Sequence, residues 1–181
     1  MSRIDETRDF VAVRIAVLTV SDTRKAADDV SGDTLAERLT DAGHVLAARG
    51  IVADDRAAIA GRLRQWIADP AVDVILTTGG TGLTGRDVTV EAHRDVYEKE
   101  IEAFGTVFTM VSMAKIGTSA VQSRAALSTR ASRTRSSSAG ADAITRRTSP
   151  RAVCCSSARV RSVVRCSSSS KSRAFAMAIA A

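Results

Sequence analysis

The sequence predicts an α/β fold, a three-layer, mostly parallel sheet with helices on both faces. Three observations predict it. Short β-branched apolar runs recur at residues 14–21, 44–52 and 72–78. The segments between them repeat apolar residues at helical spacing. Each run ends in polar or glycine-rich residues, as parallel strands do when they deliver side chains to one edge of a sheet. Such alternation implies right-handed crossovers that cover both faces.

The elements follow in order. Arg14-Ile15-Ala16-Val17-Leu18-Thr19-Val20 reads as a buried parallel strand ending in Ser21-Asp22. Ser31-Gly32-Asp33-Thr34 offers N-cap candidates for a helix with Leu35 and Leu39 on one face, closed by Gly43. Residues 44–52 form a weaker strand. Ile59, Leu63, Trp66 and Ile67 make one apolar stripe on a helix over 57–69, which Pro70 stops. Val72-Asp73-Val74-Ile75-Leu76-Thr77-Thr78 is the clearest buried strand and runs into Gly79-Gly80-Thr81-Gly82. From Thr89 onward, acidic residues interleave with Val96, Ile101, Phe104 and Phe108, the pattern of one or two amphipathic helices.

The chain has 181 residues, 45% hydrophobic and 3% aromatic, enough to bury the core of one ordinary domain. Its net charge of +6 is a sum of two unlike parts. Residues 1–123 carry 14 Lys and Arg against 19 Asp and Glu, a net of −5, whereas residues 124–181 carry 12 against Asp142 alone, a net of +11. Ser, Ala and Arg supply 38 of those last 58 positions, and neither helical nor strand periodicity continues there. The reading is therefore a domain over 1–125 and a Ser/Arg/Ala-rich tail over 126–181. No apolar run reaches the ~18 residues of a membrane span and the N-terminus lacks a signal-peptide layout, so a cytoplasmic protein without membrane contact is expected. Cys154, Cys155 and Cys166 have no neighbouring His and no C-x-x-C spacing, which argues against zinc.

Three strand ends carry the chemistry. They deliver Ser21-Asp22, Asp54-Asp55 and the segment from Thr77 to Thr89. Glycines let backbone N–H groups approach a phosphate, and threonine hydroxyls add donors. Asp54 and Asp87 are hard oxygen ligands suited to magnesium, and Arg86 would neutralise phosphate charge. The pattern points to a phosphorylated ligand. Gly80-Thr81-Gly82-Leu83-Thr84-Gly85 satisfies G-x-G-x-x-G, but after the third strand and before Arg86-Asp87, not an apolar helix. The same two residues replace the Lys-Ser/Thr of a phosphate-binding P-loop. Structural readings stand beside these: Asp54-Asp55 as a helix N-cap, Ser21-Asp22 as a turn, Trp66 as packing, and His44 and His93 as ordinary surface or core residues.

The strand plus T-T-G-G-T-G-x-x-x-R-D-x-T, with Thr-Val-Ser-Asp after the first strand and Asp-Asp after the second, resembles the MoaB/Mog family of molybdenum cofactor biosynthesis proteins. Lys99-Glu100-Ile101-Glu102-Ala103-Phe104-Gly105, Ile116-Gly117-Thr118-Ser119 and Gln122-Ser123-Arg124 extend the likeness over about residues 12–125. The resemblance implies an α/β domain that binds molybdopterin and uses ATP and magnesium to adenylate its terminal phosphate, releasing pyrophosphate. It implies metal or nucleotide roles for Asp54 and Asp87, and phosphate contacts from Gly79, Gly80, Thr81 and Gly82. Ser21 and Asp22 would line the same pocket, and Ser112 would lie on the substrate side. Val90 stands where the family commonly has Pro. A trimer or hexamer is implied for a complete fold, and a pterin-binding paralogue without catalysis is the alternative.

After Ser123-Arg124 the family pattern requires another strand, a Pro-Gly substrate loop and a final helix, and none is legible. The composition is that of GC-rich coding sequence read out of frame from near Ala125 to Leu127, or of a disordered segment. Loss of that strand would leave sheet groups unpaired, so impaired adenylyl transfer and poor solubility are expected. As a basic arm the tail would bind nucleic acid through salt-sensitive contacts, but Phe175 is its one aromatic, so nucleic acid is not the favoured partner.

Overall fold

A computed structural model describes residues 10–122, 124–130, 151–155, 161–162 and 178–179. Two buried runs lie inside the sheet, β1 (Arg14–Val20) and β3 (Val74–Thr78), and β2 (Val45–Val52), exposed to half-buried, flanks β1 as an edge strand. Between them lie α1 (Val30–Asp41) and α2 (Arg56–Ala68). After β3 come α3 (Thr89–Arg94), a two-residue β4 (Lys99–Glu100) and α4 (Ala103–Ile116), which continues into a 3-10 turn over Gly117–Gln122. β5 (Ala126–Arg130) and β6 (Arg151–Cys155) complete a six-stranded sheet of order β2-β1-β3-β6-β5-β4. The pairs β1–β2, β1–β3 and β3–β6 are parallel, and β6–β5 and β5–β4 antiparallel. A separate two-stranded pair joins β7 (Arg161–Ser162) to β8 (Ala178–Ile179).

The period-2 alternation of β1 divides the core. Ile15 and Val17 face α1 and α4, packing with Leu35, Leu39, Leu76, Phe104, Phe108 and Leu127. Ala16, Leu18 and Val20 face α2 and α3, packing with Ile59, Leu63, Trp66, Ile75 and Ala92. Helices on both faces of a mainly parallel sheet are the predicted architecture, and they put the carboxyl ends of β1, β2 and β3 along one edge.

Several boundaries differ from the sequence reading. Asp29, ahead of the predicted caps, starts α1: its carboxylate accepts from Gly32 N at 2.9 Å, from the Thr19 hydroxyl at 2.8 Å and from Arg49 at 2.8 Å. No local pattern signals that choice, because Arg49 arrives from β2. β4 interrupts the stretch read as helix, where Glu100 pairs across to Ser128.

The region beyond residue 125 also needs correction, since β5 and β6 occupy the sheet where no strand was expected. Ala126, Leu127 and Ser128 are buried, and β6 pairs residue by residue with Val74 to Thr77 of β3. An unpaired buried edge of β3 would cost several hydrogen bonds, so β5 and β6 complete the ladder without a periodic signature. The predicted irregularity of the rest of the tail falls on 131–150, 156–160, 163–177 and 180–181, outside the described residues. One apolar stretch also departs from expectation. Ala103–Gln122 is long and apolar enough by composition to cross a membrane, although Phe104, Phe108 and Ser112 turn one face of it into the core.

Candidate functional site

The ends of β1 and β2 are tied together first. Ser21 N donates to the Val52 carbonyl at 2.9 Å, and the Ser21 hydroxyl accepts from Arg24 N at 3.2 Å, which is the turn role weighed for Ser21. Asp22 is a fastener: one oxygen accepts from Asp54 N at 2.9 Å and the other pairs with Arg86 at 2.8 Å. Those bonds, the Asp54 amide foremost, hold the Asp22 carboxyl below the usual range. Arg86 is largely exposed, so this pair adds little stability.

The two aspartates after β2 divide their roles. Asp55 caps α2 by accepting from Ala58 N at 2.7 Å, so the N-cap reading applies to it. Asp54 is left free to turn toward the glycine loop, where it accepts from Val88 N at 3.2 Å. Burial, and then the charges of Asp87 and Asp22, push the Asp54 carboxyl above its ordinary value, against the pull of the Val88 amide.

Leaving β3, the chain needs two left-handed residues in succession. Gly79 has φ 96° and passes so close to β1 that a Cβ would lie 2.1 Å from the Val20 carbonyl oxygen. Gly80 has φ 58°, and a Cβ there would meet the Thr89 hydroxyl at 2.3 Å and the Asp54 carboxylate at 2.6 Å. Gly80, Asp54 and Thr89 thus converge on one point. Asp87 curls back over the same loop, accepting from Thr84 N at 2.9 Å and from the Thr84 hydroxyl, with its carboxylate beside Gly82. These bonds, led by the Thr84 hydroxyl, lower its pKa. The hydroxyls of Thr81 and Thr89 are buried and have no hydrogen-bond partner among the described residues.

Asp22, Asp54, Gly79, Gly80, Thr81, Gly82, Arg86 and Asp87 therefore form one strand-end group, with Ser21 at its margin. Ser112 stands apart: it is buried on α4, and its hydroxyl has no partner among the described residues. Among the described residues no three His, Cys, Asp or Glu side chains form a self-sufficient metal site. Asp54 and Asp87 fit a magnesium ion shared with ligand oxygens and water, which is how magnesium is commonly held beside phosphates. Burial, and then the charges of Asp87 and Asp22, disfavour the Asp54 carboxylate, and a bound cation would offset both. An open cleft of ≈ 610 Å³ beside β2 shares Ser21 with the group and is lined by Arg24, Lys25, Arg49 and residues 50–53.

Sequence reasoning missed three contributors. Arg124 reaches back into the glycine loop from beyond α4, having stood out only as part of a family motif. Thr89 ended that motif without an assigned role. His93 is fully buried beneath the loop, where its Nδ1 donates to the Thr89 carbonyl at 2.8 Å and its Nε2 accepts from the Thr77 hydroxyl at 3.0 Å. Burial pushes its imidazole down to about 4, fixing the neutral form. A single histidine on a helix carries no signal of that depth.

A protein-family model described as "Probable molybdopterin binding domain" matches residues 16–145, most of the chain and all of the strand-end group. The chain belongs to this molybdopterin-binding MoaB/Mog family. The molybdenum cofactor biosynthesis protein B of Escherichia coli (strain K12) is 46% identical over 117 residues, which cover 65% of this chain and 69% of that protein. Its counterpart in Bacillus subtilis (strain 168) is 42% identical over 114 residues, 62% and 67% of the two chains. A crystal structure of a molybdenum cofactor biosynthesis protein B matches with a TM-score of 0.64 and 43% identity, over 67% of this chain and 76% of that one. The tungsten cofactor synthesizing protein MoaB of Pyrococcus furiosus matches with a TM-score of 0.60 and 29% identity, over 81% of each chain. Within this MoaB/Mog framework the glycine loop, Asp54 and Asp87 occupy one continuous edge of the sheet.

Proposed function

We propose that this chain acts in molybdenum cofactor biosynthesis, binding molybdopterin and adenylating its terminal phosphate with ATP. The observation that carries the reading is the convergence of the Asp54 and Asp87 carboxylates on a loop that leaves β3 through two left-handed glycines. The glycines of the loop let phosphate oxygens approach its backbone closely, and Arg86 at its tip, paired with Asp22, carries a cation. Magnesium, when bound by Asp54 and Asp87, supplies charge neutralisation to the triphosphate.

The reaction needs little covalent help from the protein. An oxygen of the molybdopterin phosphate attacks the α-phosphorus of ATP, the bond to the bridging oxygen breaks, and pyrophosphate leaves with the electron pair. The phosphate nucleophile is already anionic, so no general base is required. Positioning and electrostatic stabilisation do the catalysis. Asp22 contributes by fixing the backbone of Asp54, and Asp55 by anchoring α2 behind it. We also propose that the chain self-associates through the outer face of α4, where Val107, Met110 and Met113 are exposed.

Equilibrium binding of molybdopterin and magnesium-ATP, followed by pyrophosphate release, tests the proposal. Asp87→Ala and Asp54→Ala should each lower release at least a hundredfold while leaving the fold intact. Molybdopterin binding without pyrophosphate from the unaltered chain would favour a non-catalytic pterin-binding role.

A further inference from the structure

Two peptide groups in the glycine loop are gripped from both sides. The Asp87–Val88 peptide donates its N–H to the Asp54 carboxylate at 3.2 Å, while its carbonyl accepts from the Arg124 guanidinium at 2.6 Å. The Thr81–Gly82 peptide has its carbonyl on Arg124 N at 3.2 Å, and its N–H faces the Asp87 carboxylate. Arg124 also donates through Nε to the Gly82 carbonyl at 3.0 Å and pairs with the Glu91 carboxylate on α3. One residue thus spans both limbs of the loop and the helix that follows it.

From this arrangement we infer that Arg124 is a positioning residue for both site carboxylates, acting on Asp54 through the Asp87–Val88 peptide and on Asp87 through the Thr81–Gly82 peptide. A planar fork with five donors can address two carbonyls and a carboxylate in fixed directions, which an ammonium on a flexible stem cannot do. The backbone N–H of Arg124 serves Asp87 and its side chain serves Asp54, so a side-chain substitution acts chiefly on Asp54. Arg124 itself touches neither carboxylate in this arrangement. Its positioning influence passes through peptide planes, its charge also favours the ionised Asp87 carboxylate, and Glu91 holds the guanidinium in register.

The inference rests on the reading of this loop as a phosphate site, and the test separates the two. The full chain and its Arg124→Lys and Glu91→Gln variants are compared in three measurements: affinity for magnesium-ATP by calorimetry, amide hydrogen exchange, and thermal unfolding. For Arg124→Lys the affinity should fall about ten- to hundredfold, as for loss of a hydrogen bond to a charged group. The Val88 amide should exchange at least about tenfold faster, while the β3 amides and the melting temperature stay near those of the unaltered chain. Glu91→Gln keeps Arg124 and should give a smaller change of the same pattern, which preserves the test if Arg124→Lys fails to fold. Unchanged Val88 exchange, or faster exchange spread equally over β3, overturns the inference. If the unaltered chain does not bind magnesium-ATP, the phosphate reading fails, and Val88 exchange still decides the role of Arg124.

Discussion

Three glycines of one loop should respond to the same substitution in three different ways. At Gly79 an added Cβ would lie 2.1 Å from the carbonyl oxygen of Val20, in the central strand of the sheet. That oxygen cannot rotate away, so Gly79→Ala must part β1 from β3 and should cost more than about 4 kcal/mol. At Gly80 the close atoms are ends of side chains, the Thr89 hydroxyl at 2.3 Å and the Asp54 carboxylate at 2.6 Å. Alanine there loses about 1–2 kcal/mol to its left-handed φ and regains about 0.4–1 from a less flexible unfolded chain. Displacing Asp54 from Val88 N adds about 1 kcal/mol. The net for Gly80→Ala is a loss of about 2 kcal/mol, or roughly 5 °C in melting temperature for a chain of this size. Gly85 has ordinary φ and open space around its Cβ direction, so Gly85→Ala should be neutral or stabilising by up to about 1 kcal/mol. Urea denaturation supplies the stabilities, and calorimetry with magnesium-ATP supplies the function. Gly80→Ala should remain folded and lose binding, because its methyl occupies the place of the Asp54 carboxylate. If Gly79→Ala is as stable as Gly80→Ala, or Gly80→Ala binds normally, the packing argument is refuted.

The remaining predictions concern charge and the far side of the sheet. Asp54 is less acidic when folded, so it stabilises the fold least above its raised pKa. Asp54→Asn should therefore gain stability at pH 7 and bind no magnesium-ATP; a loss of stability would contradict the burial and repulsion described. His93 is depressed to about 4, whereas the unfolded imidazole protonates near 6.5. Its contribution is complete above pH 6.5 and is lost by about 3 kcal/mol as pH falls to about 4. Denaturation curves at pH 7, 5.5 and 4.5 should show His93→Gln with a shallower acid loss, and parallel curves would contradict the assignment. Leu127 is 1% exposed in β5, so Leu127→Ala should cost about 2–5 kcal/mol; a change under about 0.5 kcal/mol would mean that β5 does not belong to the core.

What was legible in the sequence followed from local rules. β1, β3 and α2 announced themselves because each buries a continuous run or a single stripe of apolar side chains. The strand-end rule then located Asp22, Asp54, the glycines and Asp87, since parallel strands place their following residues on one edge. Long-range pairing supplied what the pattern could not. Asp29 is a cap because Arg49 comes from a strand beyond α1, and Arg124 matters because α4 returns the chain to the glycine loop. β5 and β6 went unread because their sequences, ALSTR and RAVCC, have no periodic contrast. They are strands because β3 offers a ladder to pair with. The pair Asp54 and Asp55 shows the boundary well: composition leaves the two carboxylates equivalent, and only the start of α2 separates a cap from a site residue.

The most direct test of the central claim is pyrophosphate release from magnesium-ATP with molybdopterin present, compared between the unaltered chain and Asp87→Ala. The account predicts molybdopterin-dependent release that falls at least about a hundredfold in the variant. Equal release from both, or none from a chain shown to bind molybdopterin, would contradict adenylyl transfer at the Asp54 and Asp87 edge.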